Sequence, residues 1–522
     1  MNSTSQLVRT MGFHKLHNNL RHKLIDVRNL FTSSLLNSKV GKRRKLDRLK
    51  DSPHLEALVQ QKVKRTPKDL CLEHFDIFYK KTFGKEWPSL RLALLSRPKF
   101  CALVNNYGDF ESTFKRLNNM GCYSIKKQCQ HELLCVKENI DTTQDVNIHT
   151  DMLSSTTALE TSSDEQKDSE EIPSMSSEVA LKRIIQPTEM IMQGGGSEID
   201  AASASMYDFV PSTKIKGMEG FVEESDYYSM HDTMRADRRE KESMPIEIRS
   251  HKLIDFPKYL EAYTFAPGAT DMRLEPPQKG SLGTFDYYCM DAASLLPVIV
   301  LNVQPGDSVL DMCAAPGGKT LAILQTMMPG RVLANDIDDH RMKRLLDMMS
   351  AYLESYEQNF ADQLVEFKKS NAEILPSHMP NTFDKVLCDV PCTTDRTSLQ
   401  QDEGNFFNVS RKKFRQHLPE QQSALLQSAM QCVKPGGSVV YSTCTLSPVQ
   451  NDGVVFDALK KVWQEYRFEF IVEDLTPAMQ PFKETMKISD RTTGLHPYYG
   501  QLVLPNMENN FGPMYFSKLT RK

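Results

Sequence analysis

From Ser308 onward, short apolar runs alternate with stretches whose apolar positions recur every three or four residues, the pattern of strands separated by helices. Ser308 to Met312 is the first predicted strand, followed by a glycine-rich turn and a helix carrying Leu321, Ile323 and Leu324. Arg331 to Asn335 and Lys385 to Cys388 predict two more strands, each delivering an aspartate, Asp336 and Asp389, at its C-terminal end. Val365 to Phe367 predicts another, ending at Ser370 and Asn371, and Ser438 to Ser442 follows the turn signal Pro435-Gly436-Gly437. Such alternation builds a parallel α/β sheet, and ligands bind such sheets outside the carboxyl ends of the strands. Residues 245–522 are expected to form this domain.

The rest of the chain is patterned differently. Residues 51–136 predict a mostly helical extension in which Phe75, Phe78, Tyr79, Phe83 and Trp87 are set among Lys80, Lys81, Lys85, Arg91 and Arg97. Aromatics interleaved with cations can bind RNA by stacking and phosphate contact. On ordinary helices the same pattern is a core face backed by a solvated one, and that is the reading preferred here. Residues 137–244 are expected to be a largely disordered insertion. No Phe, Tyr or Trp lies between Tyr123 and Tyr207, and Asp151 to Ala180 holds eight Ser and eight acidic residues against one Lys. Such a stretch buries too little apolar surface to offset its ordering entropy. The first twenty-five residues hold no Asp or Glu but contain Arg9, Lys15, Arg21 and Lys23, and Leu16, Leu20, Leu24, Val27 and Phe31 recur at helical spacing. Residues 1–50 are therefore read as a mitochondrial presequence and basic tail. A disordered basic tail, or a nuclear address at Lys42-Arg43-Arg44-Lys45, is the alternative.

Composition narrows the partners. A chain of 522 residues has room for two or three domains. A net charge of -3 means that any nucleic-acid surface must be local. The eleven cysteines lack the dense spacing of a secreted disulfide scaffold, which points to a reducing compartment. Cys122, Cys129, His131 and Cys135 lack the paired clasps of a structural zinc site, so no metal is expected. No apolar run reaches the roughly 18–20 residues that span a bilayer, so no membrane partner is expected.

The chemistry concentrates at the predicted strand ends. Asp311-Met-Cys-Ala-Ala-Pro-Gly-Gly-Lys-Thr320 joins the first strand to its helix, where glycines admit a ligand to the backbone and free N–H groups favour an anion. Gly318-Lys319-Thr320 matches the end of a phosphate-binding P-loop, but the required first glycine is Cys313, which argues against an NTPase. A nicotinamide dinucleotide would call for G-x-G-x-x-G, which is absent. S-adenosyl-L-methionine fits better: the helix N-terminus can hold its carboxylate, and Asp336 can accept from its ribose hydroxyls. A tight turn without ligand is the remaining alternative. Downstream, Asp389-Val-Pro-Cys392 and Ser442-Thr-Cys444 place two cysteines and a carboxylate at the same rim. Methylating carbon 5 of cytosine calls for this equipment. A thiolate adding to carbon 6 makes carbon 5 nucleophilic, and a base must later remove the carbon-5 proton so that the thiol can leave. Either cysteine alone would pass for a small buried hydrophobe.

The loop Cys313-Ala314-Ala315-Pro316-Gly317-Gly318-Lys319, the Asp-x-Pro-Cys motif ending at Cys392 and the Thr-Cys motif ending at Cys444 together resemble the Nop/Sun family of RNA cytosine-5 methyltransferases, from about Gly280 to the end. The resemblance implies a Rossmann-like S-adenosylmethionine-dependent domain. It makes Cys444 the nucleophile, Cys392 the residue that helps release product, and Asp389 the contact to ring nitrogen 3 and the exocyclic amine. The seven loop residues, Asp336, Arg341, Asn371 and Asp389 are the implied cofactor positions. Two departures stand out: the family often continues Pro-Cys with Ser-Gly, where this chain reads Thr393-Thr394-Asp395-Arg396, and Asn371 stands where relatives carry an acid. The Pro-Cys-Thr-Thr-Asp-Arg stretch, Ser410-Arg-Lys-Lys413 and Asn510-Phe-Gly-Pro-Met-Tyr-Phe516 resemble the mitochondrial ribosomal RNA methyltransferase subgroup. That implies action on small-subunit mitochondrial ribosomal RNA in the matrix, association with mitochondrial ribosomal subunits, and a helical-repeat partner of the mitochondrial transcription-termination-factor family. An assembly factor that acts mainly by binding rRNA and this partner is the competing reading. Arg411, Lys412, Lys413 and Arg415 cluster after the Pro-Cys motif and are expected to contact the RNA backbone, with an ordinary solvated surface as the alternative.

Overall fold

The computed structural model describes residues 65–135, 246–251, 254, 256–269, 273–353, 364–490 and 496–522. The presequence and tail expected at 1–50 and the insertion expected at 137–244 lie outside the described residues. The described residues from Thr66 onward form one compact unit.

That unit opens with helix α1 (Pro67–Phe83), fixed at its start by a reciprocal cap: the Thr66 hydroxyl accepts from the Asp69 backbone N–H, and the Asp69 carboxylate accepts from that of Thr66. Cys71, Phe75, Phe78, Tyr79 and Phe83 repeat at helical spacing and are all buried. Helix α2 (Trp87–Leu95) buries Trp87, Leu90 and Leu94 in the same core, so the aromatics of this extension are packing residues. Strand β1 (Cys101–Val104), helix α3 (Phe110–Asn119) and strand β2 (Cys122–Ser124) follow. The extension is mostly helical, but its two short strands do not stand apart. They pair with β4 (Ala262–Phe265) and β5 (Tyr287–Met290) in an antiparallel sheet of order β2-β4-β1-β5, while β3 (Glu247–Ser250) joins a different sheet. Segments from both sides of 137–244 thus share backbone ladders.

The larger sheet carries the chemistry. After α4 (Leu296–Leu301) come β6 (Ser308–Asp311), α5 (Gly318–Gln325), β7 (Arg331–Asp336), α6 (Asp339–Tyr352), β8 (Val365–Lys369) and β9 (Phe383–Asp389). Then follow α7 (Asp395–Gln400), α8 (Lys412–Cys432), β10 (Val433–Thr443), α9 (Asp452–Tyr466), β11 (Phe470–Asp474), β12 (Gln501–Val503) and β13 (Met514–Arg521). The strand order is β3-β11-β13-β10-β9-β6-β7-β8, parallel from β10 to β8 and antiparallel at β13, with β12 paired to β13. The predicted turn at Pro435-Gly436-Gly437 shows as a break in register between Val433 and Ser438. Strand order reverses between β6 and β9, and a crevice at such a switch point takes the ligand in α/β sheets.

Both faces of the sheet's centre are covered, which explains the short apolar runs in β6, β7, β9 and β10. Alternate side chains go to opposite cores: Val309, Val332, Ala334 and Val440 join α4, α5 and α6, whereas Leu310, Leu333, Val439 and Tyr441 join α1, α8 and α9.

Candidate active site

The loop from β6 to α5 is pinned at several backbone positions. Met312 N–H donates to Leu387 O (2.9 Å), Ala314 N–H to Asn335 O (2.8 Å) and Ala315 N–H to the Asp336 carboxylate (3.2 Å). Arg341, from the first turn of α6, pairs with Asp336 at 3.3 Å and donates to Ala315 O. Gly317 has φ +111°, and a methyl group there would lie 2.1 Å from Met348 Cε and 2.7 Å from Leu345 Cδ1. Only glycine fits this bend, which turns the chain so that the first N–H groups of α5 face the sheet edge. Behind the loop, the Thr320 hydroxyl donates to Asp311 (2.6 Å), whose carboxyl burial pushes up to about 7. Cys313 follows in the loop, and burial pushes its thiol up as well. Pro316 is exposed at the rim.

The two cysteines reach this rim from adjacent strands. Strands β9 and β10 run parallel with Asp389 opposite Ser442, so the chain leaves both strands side by side. Ser442 Oγ donates to Asp389 Oδ1 (2.6 Å) and Lys319 Nζ to Asp389 Oδ2 (2.8 Å). A few residues further, Cys392 Sγ and Cys444 Sγ are 3.2 Å apart, and Cys444 N–H points at Cys392 Sγ (3.3 Å). Cys392 is buried, whereas Cys444 remains partly open to solvent. The thiol–thiol hydrogen bond, reinforced by burial and by the charge of Asp389, raises the Cys444 thiol well above its ordinary range, while Lys319 opposes the shift. A partly exposed sulfur beside a carboxylate, an ammonium and a second thiol can add to an electrophilic ring and exchange protons with it.

Of the residues expected from sequence, Cys444, Cys392, Asp389 and Lys319 converge, and Asp336 and Arg341 close on the loop 313–319 from the neighbouring strand and helix. Asn371 stands at the carboxyl end of β8, where its side chain accepts from Glu373 N–H (3.1 Å) and caps the turn that follows. Arg415 corrects an expectation. It is 2 % exposed, lies 4.6 Å from the Phe407 ring centre and donates to Phe406 O, because helical periodicity turns position 415 inward with Leu418 and Gln422. It offers nothing to an RNA backbone, unlike the exposed Arg411 and Lys413 and the half-buried Lys412. Sequence reasoning missed Ser442, whose role depends on its register with Asp389, and Tyr288, whose ring edge would lie 3.1 Å from a methyl group at Gly318. It also missed the anchoring of Asp395, although the departure at 393–396 pointed there.

A family model described as 16S rRNA methyltransferase RsmB/F matches residues 298–520. The 5-cytosine rRNA methyltransferase NSUN4 of Xenopus tropicalis is 32% identical over 454 residues, covering 87% of this chain and 90% of the relative. The mitochondrial tRNA (cytosine(34)-C(5))-methyltransferase of Danio rerio is 41% identical over 235 residues, 45% of this chain and 60% of the relative. Among solved structures, NSun6 from Pyrococcus horikoshii matches with a TM-score of 0.37 and 24% identity, covering 48% of this chain and 56% of the other.

Proposed function

The chain belongs to the RsmB/F, or Nop/Sun, family of RNA cytosine-5 methyltransferases, and from that premise we propose that it methylates mitochondrial small-subunit ribosomal RNA through a covalent adduct on Cys444. It is an S-adenosylmethionine-dependent enzyme with a Rossmann-like α/β domain. The residues present suit the donor. The N-terminal N–H groups of α5, which follow the left-handed bend at Gly317, suit its amino-acid end, and Asp336, steadied by Arg341, suits its ribose. When bound, it supplies the electrophilic methyl group.

The chain's own residues do the remaining work. A target cytosine must leave its stack to enter the crevice. Asp389, held by Ser442 and Lys319, orients the ring through nitrogen 3 and the exocyclic amine. Cys444 adds to carbon 6, and the new carbon–sulfur bond drives electron density onto carbon 5. After methyl transfer a general base takes the carbon-5 proton, the electron pair left behind re-forms the ring double bond and expels the Cys444 thiolate, and Cys392 assists that release from 3.2 Å away. Action in the mitochondrial matrix, a part in ribosome assembly, association with mitochondrial ribosomal subunits and a helical-repeat partner of the transcription-termination-factor family complete the proposal. Subgroup resemblance supports them, and the relative from Danio rerio is named mitochondrial.

The observation that carries the proposal is the meeting of the two thiols beside the Lys319–Asp389 pair. Cys392→Ala is expected to trap a denaturation-resistant protein–RNA adduct, and Cys444→Ala to form none. The reverse outcome would exchange the roles. Bisulfite mapping with and without the protein identifies the target, and rescue of ribosome assembly by Cys444→Ala would show that binding rather than methylation is the essential act.

A further inference from the structure

The side chain of Asp395 is fully buried, yet it is a carboxylate with no ion-pair partner among the described residues. Burying a carboxylate is costly unless donors surround it, and here four do. The Thr445 hydroxyl donates to Oδ1 (2.7 Å), and the Thr393 hydroxyl lies 3.0 Å from the same oxygen and 3.1 Å from the Thr445 hydroxyl. Oδ2 accepts from the Leu446 N–H (2.8 Å) and from the hydroxyl of Tyr79 in α1 (2.7 Å). Thr393 directly follows Cys392, and Thr445 directly follows Cys444. One carboxylate therefore binds the residue after each cysteine, and a helix more than three hundred residues upstream in sequence holds its other oxygen.

The local backbone explains how it gets there. Thr394 takes a left-handed conformation (φ +45°) and turns the chain into α7, whose first residue is Asp395.

We propose that Asp395 is a positioning residue that clamps the two cysteine loops together through Thr393 and Thr445, holding Cys392 where it can act on the adduct formed by Cys444. The proposal rests on the cysteine roles assigned above. The clamp does not touch the ring. It fixes the relative placement of the thiols, and a displacement of about 1 Å between reacting groups costs on the order of 100-fold in rate.

The test measures thiol separation without RNA. The full-length protein is treated with diamide, which takes up the two electrons and two protons released as Cys392 and Cys444 join, and closure of that disulfide is followed by peptide mass spectrometry. Wild type should close fastest; Thr445→Val and Asp395→Asn should close about 10–100-fold more slowly, the range expected when two groups lose their alignment. Thr445→Ser, which keeps the hydroxyl, should stay within about threefold of wild type. Thermal unfolding of each variant identifies any that is not folded, and the Val/Ser pair at 445 decides the matter if Asp395→Asn is not. With target RNA, Thr445→Val should raise the ratio of trapped adduct to released product. Closure of Thr445→Val at the wild-type rate, or of Thr445→Ser as slowly as Thr445→Val, would overturn the clamp. Absence of an RNA adduct in every protein, Cys392→Ala included, would instead overturn the role given to Cys444, while the disulfide rates would still decide the clamp.

Discussion

Lys319 Nζ lies 2.8 Å from Asp389 Oδ2, joining the first turn of the helix behind the glycine loop to the end of the strand that carries the Pro-Cys motif. The pair places a positive charge between the methyl-donor loop and the thiols, and that charge is what opposes the upward shift of the Cys444 thiol.

Lys319→Met should therefore act on chemistry as well as on binding. With the ammonium gone, the Cys444 thiolate is harder to form and Asp389 loses the partner that fixes its orientation. We expect kcat to fall about 100-fold or more, the scale seen when one preorganised charge-stabilising donor is removed. Single-turnover methylation under saturating donor and RNA checks this, and an unchanged kcat with a raised KM would assign Lys319 to binding alone.

The Cys444 thiol should titrate late. Its raised pKa means that at neutral pH less thiolate is present than in an ordinary cysteine, so its alkylation by iodoacetamide should climb about tenfold per pH unit well into the alkaline range. The largest cause is the hydrogen bond with Cys392, so Cys392→Ala should lower the pKa and speed alkylation of Cys444 at pH 8. Peptide mass spectrometry resolves the site. An equal or slower rate in the variant would show that Cys392 does not raise it.

Gly317→Ala should displace the donor loop. The added methyl meets Met348 and Leu345 well inside contact distance at a backbone angle that disfavours any side chain. Overpacking of this kind costs about 1–3 kcal/mol of stability. Calorimetry should show no S-adenosylmethionine binding in a protein that still unfolds cooperatively, and retained affinity would remove the loop from the site.

The basic cluster after the Pro-Cys motif should divide in two. Arg415→Ala should cost about 2 kcal/mol or more in stability, since it empties a buried, ring-stacked position. Charge reversal at Arg411, Lys412 and Lys413 should leave stability unchanged and weaken RNA binding. On single-stranded RNA, the slope of log affinity against log salt should fall by roughly 0.7 for each phosphate that is no longer neutralised. Filter binding over a salt series checks it, and an identical slope would place the RNA elsewhere.

Much of the site was legible in the chain because its parts are local. A strand, a glycine turn and a helix occupy consecutive residues, so the segment from Asp311 to Thr320 announces a ligand loop by itself, and the aspartates closing β7 and β9 follow from short apolar runs with an acid at the end. The buried face of α1 was equally readable from its period. Arg415 was misjudged because clustering of like charges along the sequence says nothing about which turn of a helix faces inward.

What the sequence determined by itself was the inventory: which residue types stand at which strand ends, and hence the class of chemistry. Only the tertiary structure decided which of them meet. The 3.2 Å between Cys392 and Cys444, the register of Ser442 with Asp389 and the anchoring of Asp395 by Tyr79 all join positions tens to hundreds of residues apart. Local propensity encodes no such distance; it is set when strands pair in register and helices pack over them, burying apolar surface that belongs to the whole sheet.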